Sequence, residues 1–182
     1  MWLIDPIDGT GNYVNGSDAF GVMVALVVDG VAQASWIWLP VAELMYTAVR
    51  GQGAFRNNTP IDDASSTKAP SQMSGTIKRR YLPPDMNAKV SATAAGFGAV
   101  GVGQYCAAVE YAALAERDGD FILYGRVLPW DHVPGALLVA ETGGAVRWLD
   151  GSDYTHKHDG FGILAVADEA NWSAVSGVMF GR

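Results

Sequence analysis

Apolar residues dominate positions 19–28, a β-branched run that ends on Asp29-Gly30, a strong two-residue hairpin signal. Positions 31–39 return as a second strand, Pro40 interrupts, and 44–49 form a third before the turn at Gly51-Gln52-Gly53. The first third therefore predicts an antiparallel meander, preceded by the short apolar strand Trp2-Leu3-Ile4. Residues 57–70 are polar and turn-rich and read as a surface connection. Beyond about residue 71 the pattern changes to alternating strands and helices. Strands are expected at 74–80, 121–124, 145–149 and 161–167. Helices are expected at 84–92, 105–117, 129–141 and 170–179. No internal repeat is present. The chain reads as one domain over 1–182, with a mainly antiparallel part (1–70) and an α/β part (71–182).

With 182 residues, 49% of them hydrophobic and 10% aromatic, the chain can bury a core and is not a disordered chain. Asp29, Gly30 and Pro40 break the longest apolar stretch, so no membrane span is expected. No basic region followed by an apolar stretch opens the chain, and a single cysteine rules out an internal disulfide. A cytoplasmic protein is the expectation. The formal charge of −7 argues against nucleic acid as a partner and against drawing phosphates in by a general positive field. Lys78-Arg79-Arg80 is the one basic cluster and reads as a solvated strand end or loop.

Chemistry enters at Asp5-Pro6-Ile7-Asp8-Gly9-Thr10. Pro6 fixes its own φ and biases Asp5 toward extended geometry, so two carboxylates are held at a stiff spacing. Hard oxygen donors so placed suit Mg²⁺, while Gly9 can take positive φ and Thr10 adds a hydroxyl beside backbone N–H groups. Far downstream, Trp130-Asp131-His132-Val133-Pro134-Gly135 opens an apolar helix that stops at Gly143-Gly144. Taken alone, Asp131 is equally well read as a helix cap.

Together these two segments resemble the signatures of the inositol monophosphatase family, "W-[LI]-I-D-P-[IL]-D-G-T" and "W-D-x-[AG]-[AG]". The first matches residue for residue. The second departs at Val133-Pro134-Gly135, where a small residue is replaced or displaced. The resemblance, which also takes in Gly51-Gln52-Gly53-Ala54-Phe55, implies an α/β layered sandwich of αβαβα type and a Mg²⁺-dependent phosphomonoesterase. By that resemblance Asp5, the Ile7 carbonyl, Asp8 and Asp131 would ligate metal. Gly9 and Thr10 would bind phosphate, and Asp8 and Thr10 would serve catalysis. Tyr105-Cys106-Ala107 occupies the place of the family's Gly-Thr-Ala, and Tyr124 that of a Glu that holds inositol hydroxyls. The alcohol is then an inositol, sugar, histidinol or nucleotide phosphate, unresolved between them.

In the family, two long helices and a metal-binding Glu precede the Asp-Pro-Ile-Asp strand, whereas here Met1 precedes Trp2. The first helical layer is therefore expected to be missing, leaving an apolar sheet face open. Several hundred Å² uncovered would cost on the order of 10 kcal/mol, so the expectation is either a homodimer or another chain over that face, or a local rearrangement of the fold. The rival expectation is a catalytically impaired remnant that binds a partner through it.

Other readings are weaker. An aspartyl-phosphate phosphatase needs its acids two apart, not three with Pro6 between. Gly96-Phe97-Gly98-Ala99-Val100-Gly101 matches a dinucleotide glycine pattern but lacks the acidic residue after the next strand, and reads as a Gly-rich connection. Cys106 lacks the Arg of a cysteine phosphatase, with Ala112 in its place, and reads as a buried small hydrophobe. His132 reads as packing or capping, with pocket lining as its alternative, His156 and His158 read as solvated, and the Trp36/Trp38 pair as core or interface.

Overall fold

The structure, a computed structural model, describes residues 1–63, 66–157 and 160–181. Six antiparallel strands follow one another across the first sheet. They are β1 (Trp2–Asp8), β2 (Gly21–Val28), β3 (Val31–Leu39), β4 (Leu44–Val49), β5 (Ala54–Arg56) and β6 (Thr59–Pro60). Asp29 and Gly30 join β2 to β3 with φ of 51° and 85°, the double positive φ that a tight hairpin needs to match strand twist.

The second sheet is mixed and has the order β10-β11-β9-β7-β8. Its strands are β7 (Ser74–Lys78), β8 (Ala99–Gly101), β9 (Phe121–Tyr124), β10 (Ala145–Trp148) and β11 (Ile163–Val166). The helices are α1 (Thr10–Val14), α2 (Pro84–Thr93), α3 (Ala107–Ala115), α4 (Pro129–Ala140) and α5 (Trp172–Phe180).

Burial follows from the strand period. On β2, Met23, Ala25 and Val27 point inward and are at most 2% exposed, whereas Val22, Val24 and Leu26 alternate outward. Met23 joins Ile37, Tyr46 and Ala48 against Ala108, Tyr111, Leu137 and Leu138 of α3 and α4, whose far side meets Ile122, Ile163 and Ala165 of the second sheet, while Ala25 and Val27 pack on Val133 of α4. The other face of that sheet packs Phe121, Leu123, Leu164 and Val166 on α2 and α5. The layers thus run sheet, helices, sheet, helices. At the crossing of α3 and α4 only Gly135 fits, because a Cβ there would overlap the Tyr111 ring.

Among the described residues no helix covers the outer face of the first sheet. Trp2 and Ile4 are 57% and 55% exposed there, and Val24, Trp36 and Trp38 are half-buried beside them. Cross-strand pairs Trp2↔Leu26, Ile4↔Val24 and Val24↔Trp36 form a continuous apolar ladder.

Several boundaries differ from the expectations. The strand expected at 74–80 ends at Lys78, and residues 79–81 make a short 3₁₀ turn. The helix expected from 105 starts at Ala107, because Tyr105 takes a left-handed φ of 56°. The Gly-rich stretch 96–101 is more than a connection: its end supplies β8, paired parallel to β7. It opens no helix there, so the dinucleotide reading fails. The connection 57–70 contains β6, and α1 was not anticipated. His158 lies outside the described residues, and His156 is exposed or partly so in a turn.

Candidate active site

A regular strand would send Asp5 and Asp8 to opposite faces, since they are an odd number of residues apart. The pairing with β2 shifts between them: Asp5 faces Met23 and Asp8 faces Gly21, so β1 carries one extra residue. This bulge coincides with Pro6, which has no N–H for the ladder, and it returns both carboxylates to one side. The Asp5 side chain accepts the Ile7 N–H at 3.0 Å, and the Thr10 hydroxyl donates to the Ile7 carbonyl at 2.8 Å. Gly9 follows at φ 78°, where a Cβ would sit 2.8 Å from the Ala19 carbonyl oxygen. No other residue suits that position.

Asp8 is buried. Its Oδ2 accepts the Ala108 N–H at 2.6 Å and the Cys106 thiol at 3.1 Å, which fastens β1 to the start of α3. Burial raises its pKa, and these bonds only partly offset that. Asp131 stands in the first turn of α4 but does not cap it: the cap residue is Leu128 and no side chain caps this end. Instead Asp5, Asp8 and Asp131 each offer a carboxylate oxygen within 4.8 Å of the others. Burial, then repulsion from Asp8, then Asp5, raise Asp131 to about 7, against a weaker pull downward from Arg126. Three acids this close, with one holding its proton near neutrality, form a donor set that could hold a cation.

Asp8 and Asp131 of this cluster line a cleft of about 460 Å³. Gly9, Thr10, Tyr105, Cys106, Ala107 and Tyr124 also line it, so the residues assigned to phosphate and alcohol face one space. Their conditions differ. Tyr105 is 64% exposed, while Cys106, Ala107 and Tyr124 are buried. The Tyr124 hydroxyl donates to Glu110 Oε2 at 3.1 Å. Burial and Asp8 push the Cys106 thiol up, which keeps it a protonated donor.

Sequence reasoning missed the opposite side of the cleft. Lys78 is no solvated strand end: it pairs with Glu110, itself buried, which also accepts the Gln104 and Tyr105 N–H groups at 2.7 and 3.1 Å. The Lys78 ammonium lies 4.5 Å from the Tyr105 ring centroid. Arg79 and Arg80 are exposed as expected, yet they line the cleft together with Arg126. The only hint was a lone glutamate in the otherwise apolar segment Ala107–Ala115. His132 is buried and also lines the cleft beside Asp131. Its Nδ1 meets the Tyr111 hydroxyl at 3.1 Å and its Nε2 the Arg126 carbonyl at 3.0 Å, and burial lowers its pKa to about 4. A neutral ring donating through Nε2–H and accepting at Nδ1 satisfies both bonds.

Known proteins resemble this chain in sequence and fold. A histidinol-phosphatase of Chlorobaculum parvum is 36% identical over 144 residues, 79% of this chain and 55% of that protein. Nus factor SuhB of Escherichia coli K12 is 32% identical, covering 87% of this chain and 58% of that protein. The chain thus spans a little over half the length of the curated relatives it matches. The solved inositol monophosphatase of Anabaena superposes with a TM-score of 0.85 at 30% identity, covering 99% of this chain and 71% of that one. Residues 1–176 match the profile described as the inositol monophosphatase family. On the matched signatures, the layered fold and the converging aspartates, this chain belongs to the inositol monophosphatase family.

Proposed function

We propose that this chain carries the metal- and phosphate-binding part of a Mg²⁺-dependent enzyme that hydrolyses a small phosphomonoester. The single observation that carries this reading is the convergence of Asp5, Asp8 and Asp131 within 4.8 Å at the mouth of one cleft. Two of them leave β1 across a bulge and the third leaves α4, so the fold spends a strand irregularity and a buried carboxylate on assembling mutual repulsion. Mg²⁺ fits this donor set, and when bound it would neutralise the carboxylates, lower the pKa of a bound water and polarise a phosphoryl oxygen.

The protein's own groups do the rest. Gly9 and Thr10 offer backbone N–H groups to phosphate oxygens beside the carboxylates, and the Ile7 carbonyl is a further oxygen donor at the turn. The Thr10 hydroxyl gives its proton to the Ile7 carbonyl, so its oxygen lone pairs remain to accept a proton from, and orient, the attacking water. Asp8, its proton affinity raised by burial, sits where it can take up that water's proton. Ala107 and Cys106 close the floor, and Tyr105 and Tyr124 flank the alcohol. The relatives named for histidinol phosphate and for inositol monophosphate support the substrate class, a small phosphorylated alcohol. Phosphate release with Mg²⁺ should fall at least about 100-fold in Asp131→Asn, because even groups behind the ligands contribute 10–100-fold. Equal rates in the two proteins would exclude catalysis at this site.

A second reading rests on the exposed ladder of Trp2, Ile4, Val24 and Trp36: an interaction module whose outer sheet face takes a second copy or another chain. It is compatible with the first. Sedimentation as a monomer at nanomolar concentration, with no loss of structure, would count against it.

A further inference from the structure

The cleft has two walls of opposite sign in a protein of net charge −7. Facing the aspartates are Arg79, Arg80 and Arg126, carried on the turn after β7 and the turn after β9. The remaining described arginines are occupied. Arg56 pairs with Glu116, Arg147 with Asp153 and Glu169, Arg117 binds the Asp62 and Thr142 carbonyls, and Arg50 binds the Ala32 carbonyl. No guanidinium of the three at the cleft has a hydrogen bond or an ion pair among the described residues. Arg80 and Arg126 instead share one support, each 5.4 Å from the Tyr81 ring centroid, which holds two like charges side by side.

Structural roles do not account for this. Lys78, the neighbour of Arg79, is neutralised by buried Glu110, which fixes the end of β7 and leaves the two arginines after it directed by the chain alone. Arg126 acts on Asp131, whereas neither Arg79 nor Arg80 is among the charges that act on Asp8 or Asp131. Uncompensated guanidinium groups, preorganised on a ring at the rim of a cleft, match a planar or tetrahedral oxyanion. A volume of about 460 Å³ spans more than a single phosphate, so a ligand with its scissile phosphate at Asp5, Asp8 and Asp131 can reach the arginines with its other end.

We propose that Arg79, Arg80 and Arg126 form an anion subsite, and that the preferred substrate is a phosphomonoester whose alcohol half bears a second anionic group, a phosphate or a carboxylate. This deepens the phosphatase reading and rests on it for the position of the scissile phosphate.

The test uses the whole chain with Mg²⁺ and three probes: glucose 6-phosphate, glucose 1,6-bisphosphate and 6-phosphogluconate. At least one of the two doubly anionic probes should show a KM about tenfold or more below that of glucose 6-phosphate, as expected for charged hydrogen bonds to a second oxyanion. Which of them gains more distinguishes phosphate from carboxylate. The triple variant Arg79→Gln/Arg80→Gln/Arg126→Gln should lose that preference. Arg56→Gln, which removes a charge elsewhere, should keep the preference. Raising ionic strength should shrink it. Hydrolysis of all three probes with equal KM, or a preference that survives in the triple variant, overturns the subsite and leaves the phosphatase reading intact. If no probe releases phosphate, calorimetric binding of the bisphosphate, tighter than the monophosphate and dependent on the arginines, supports the subsite and sinks the phosphatase reading instead.

Discussion

The two walls of the cleft are built by different means. On the acidic wall the backbone decides: a bulge at Pro6, a left-handed Gly9 and the first turn of α4 bring three carboxylates together. On the basic wall side chains decide: Lys78 from β7 meets Glu110 from α3, which takes the Tyr124 hydroxyl from β9 and two N–H groups of the loop before α3. The first wall accumulates repulsion that a bound cation would relieve. The second is internally satisfied apart from its arginines. A wall poised for a cation suits chemistry common to a family, and a wall fixed by side-chain pairs can change with the alcohol it faces.

The largest break in this comparison is expected from Asp8→Asn. Asn keeps an oxygen for the Ala108 N–H and so preserves the β1–α3 junction, but it removes an anionic donor from the cluster. Phosphate release should fall by at least about 100-fold with little change in melting temperature. Loss of folding in parallel would show Asp8 to be structural first.

A sharper division comes from two glycines, one per wall. Gly9 (φ 78°) and Gly103 (φ 71°) both occupy left-handed backbone, and a Cβ at Gly103 would strike Glu110 and lie 2.7 Å from Lys78 Nζ. Each Gly→Ala change should cost about 2 kcal/mol or more. Only Gly9→Ala should also abolish the rise in melting temperature expected of the parent protein with Mg²⁺. Gly103→Ala should keep that rise and instead raise KM.

Smaller, and specific to the metal-free protein, is the pH response. Asp131 is raised to about 7 from 3.8, so between these values the folded state holds a proton that the unfolded state has lost. Stability must therefore fall as pH rises through that window. Buried Glu110 acts in the same direction from the other wall. Melting temperatures across that range should slope downward, less steeply in Asp131→Asn, and saturating Mg²⁺ should remove the Asp131 share. An unchanged slope in Asp131→Asn would place the proton elsewhere.

How much of each wall the sequence discloses follows from the same contrast. Local rules expose part of the acidic wall: Asp5, Asp8 and Gly9 share one contiguous motif, whereas Asp131, locally as good a helix cap, joins them only through the family resemblance; turn chemistry at Asp29-Gly30 fixes the meander. The bulge escaped because strand register is a property of two strands, and β2 does not announce it. Glu110 escaped because its meaning lies in Lys78, far away in sequence, and in Tyr124. Arg126 and β8 escaped likewise: a lone arginine in a turn and a Gly-rich strand have no periodicity. The boundary error at Tyr105 has a local cause, since a left-handed tyrosine breaks the helical run before Ala107.

The smallest effect is expected at Cys106, where the walls meet at the floor. Its thiol donates to Asp8 Oδ2 at 3.1 Å and is held protonated by burial and the adjacent carboxylate. A protonated, buried thiol is a poor nucleophile, so its role is to hold Asp8 rather than to attack phosphate. Cys106→Ser replaces a weak S–H donor by a stronger O–H donor of smaller size. The gain in hydrogen bonding and the loss of packed sulfur volume oppose each other, each about 1 kcal/mol. Turnover and Mg²⁺ affinity should therefore stay within about threefold of the parent. Cys106→Ala removes the donor with no replacement and should weaken Mg²⁺ binding more than Ser does, if the thiol positions Asp8. Equal behaviour of Ser and Ala would leave Ala108 N–H as the sole anchor of that carboxylate.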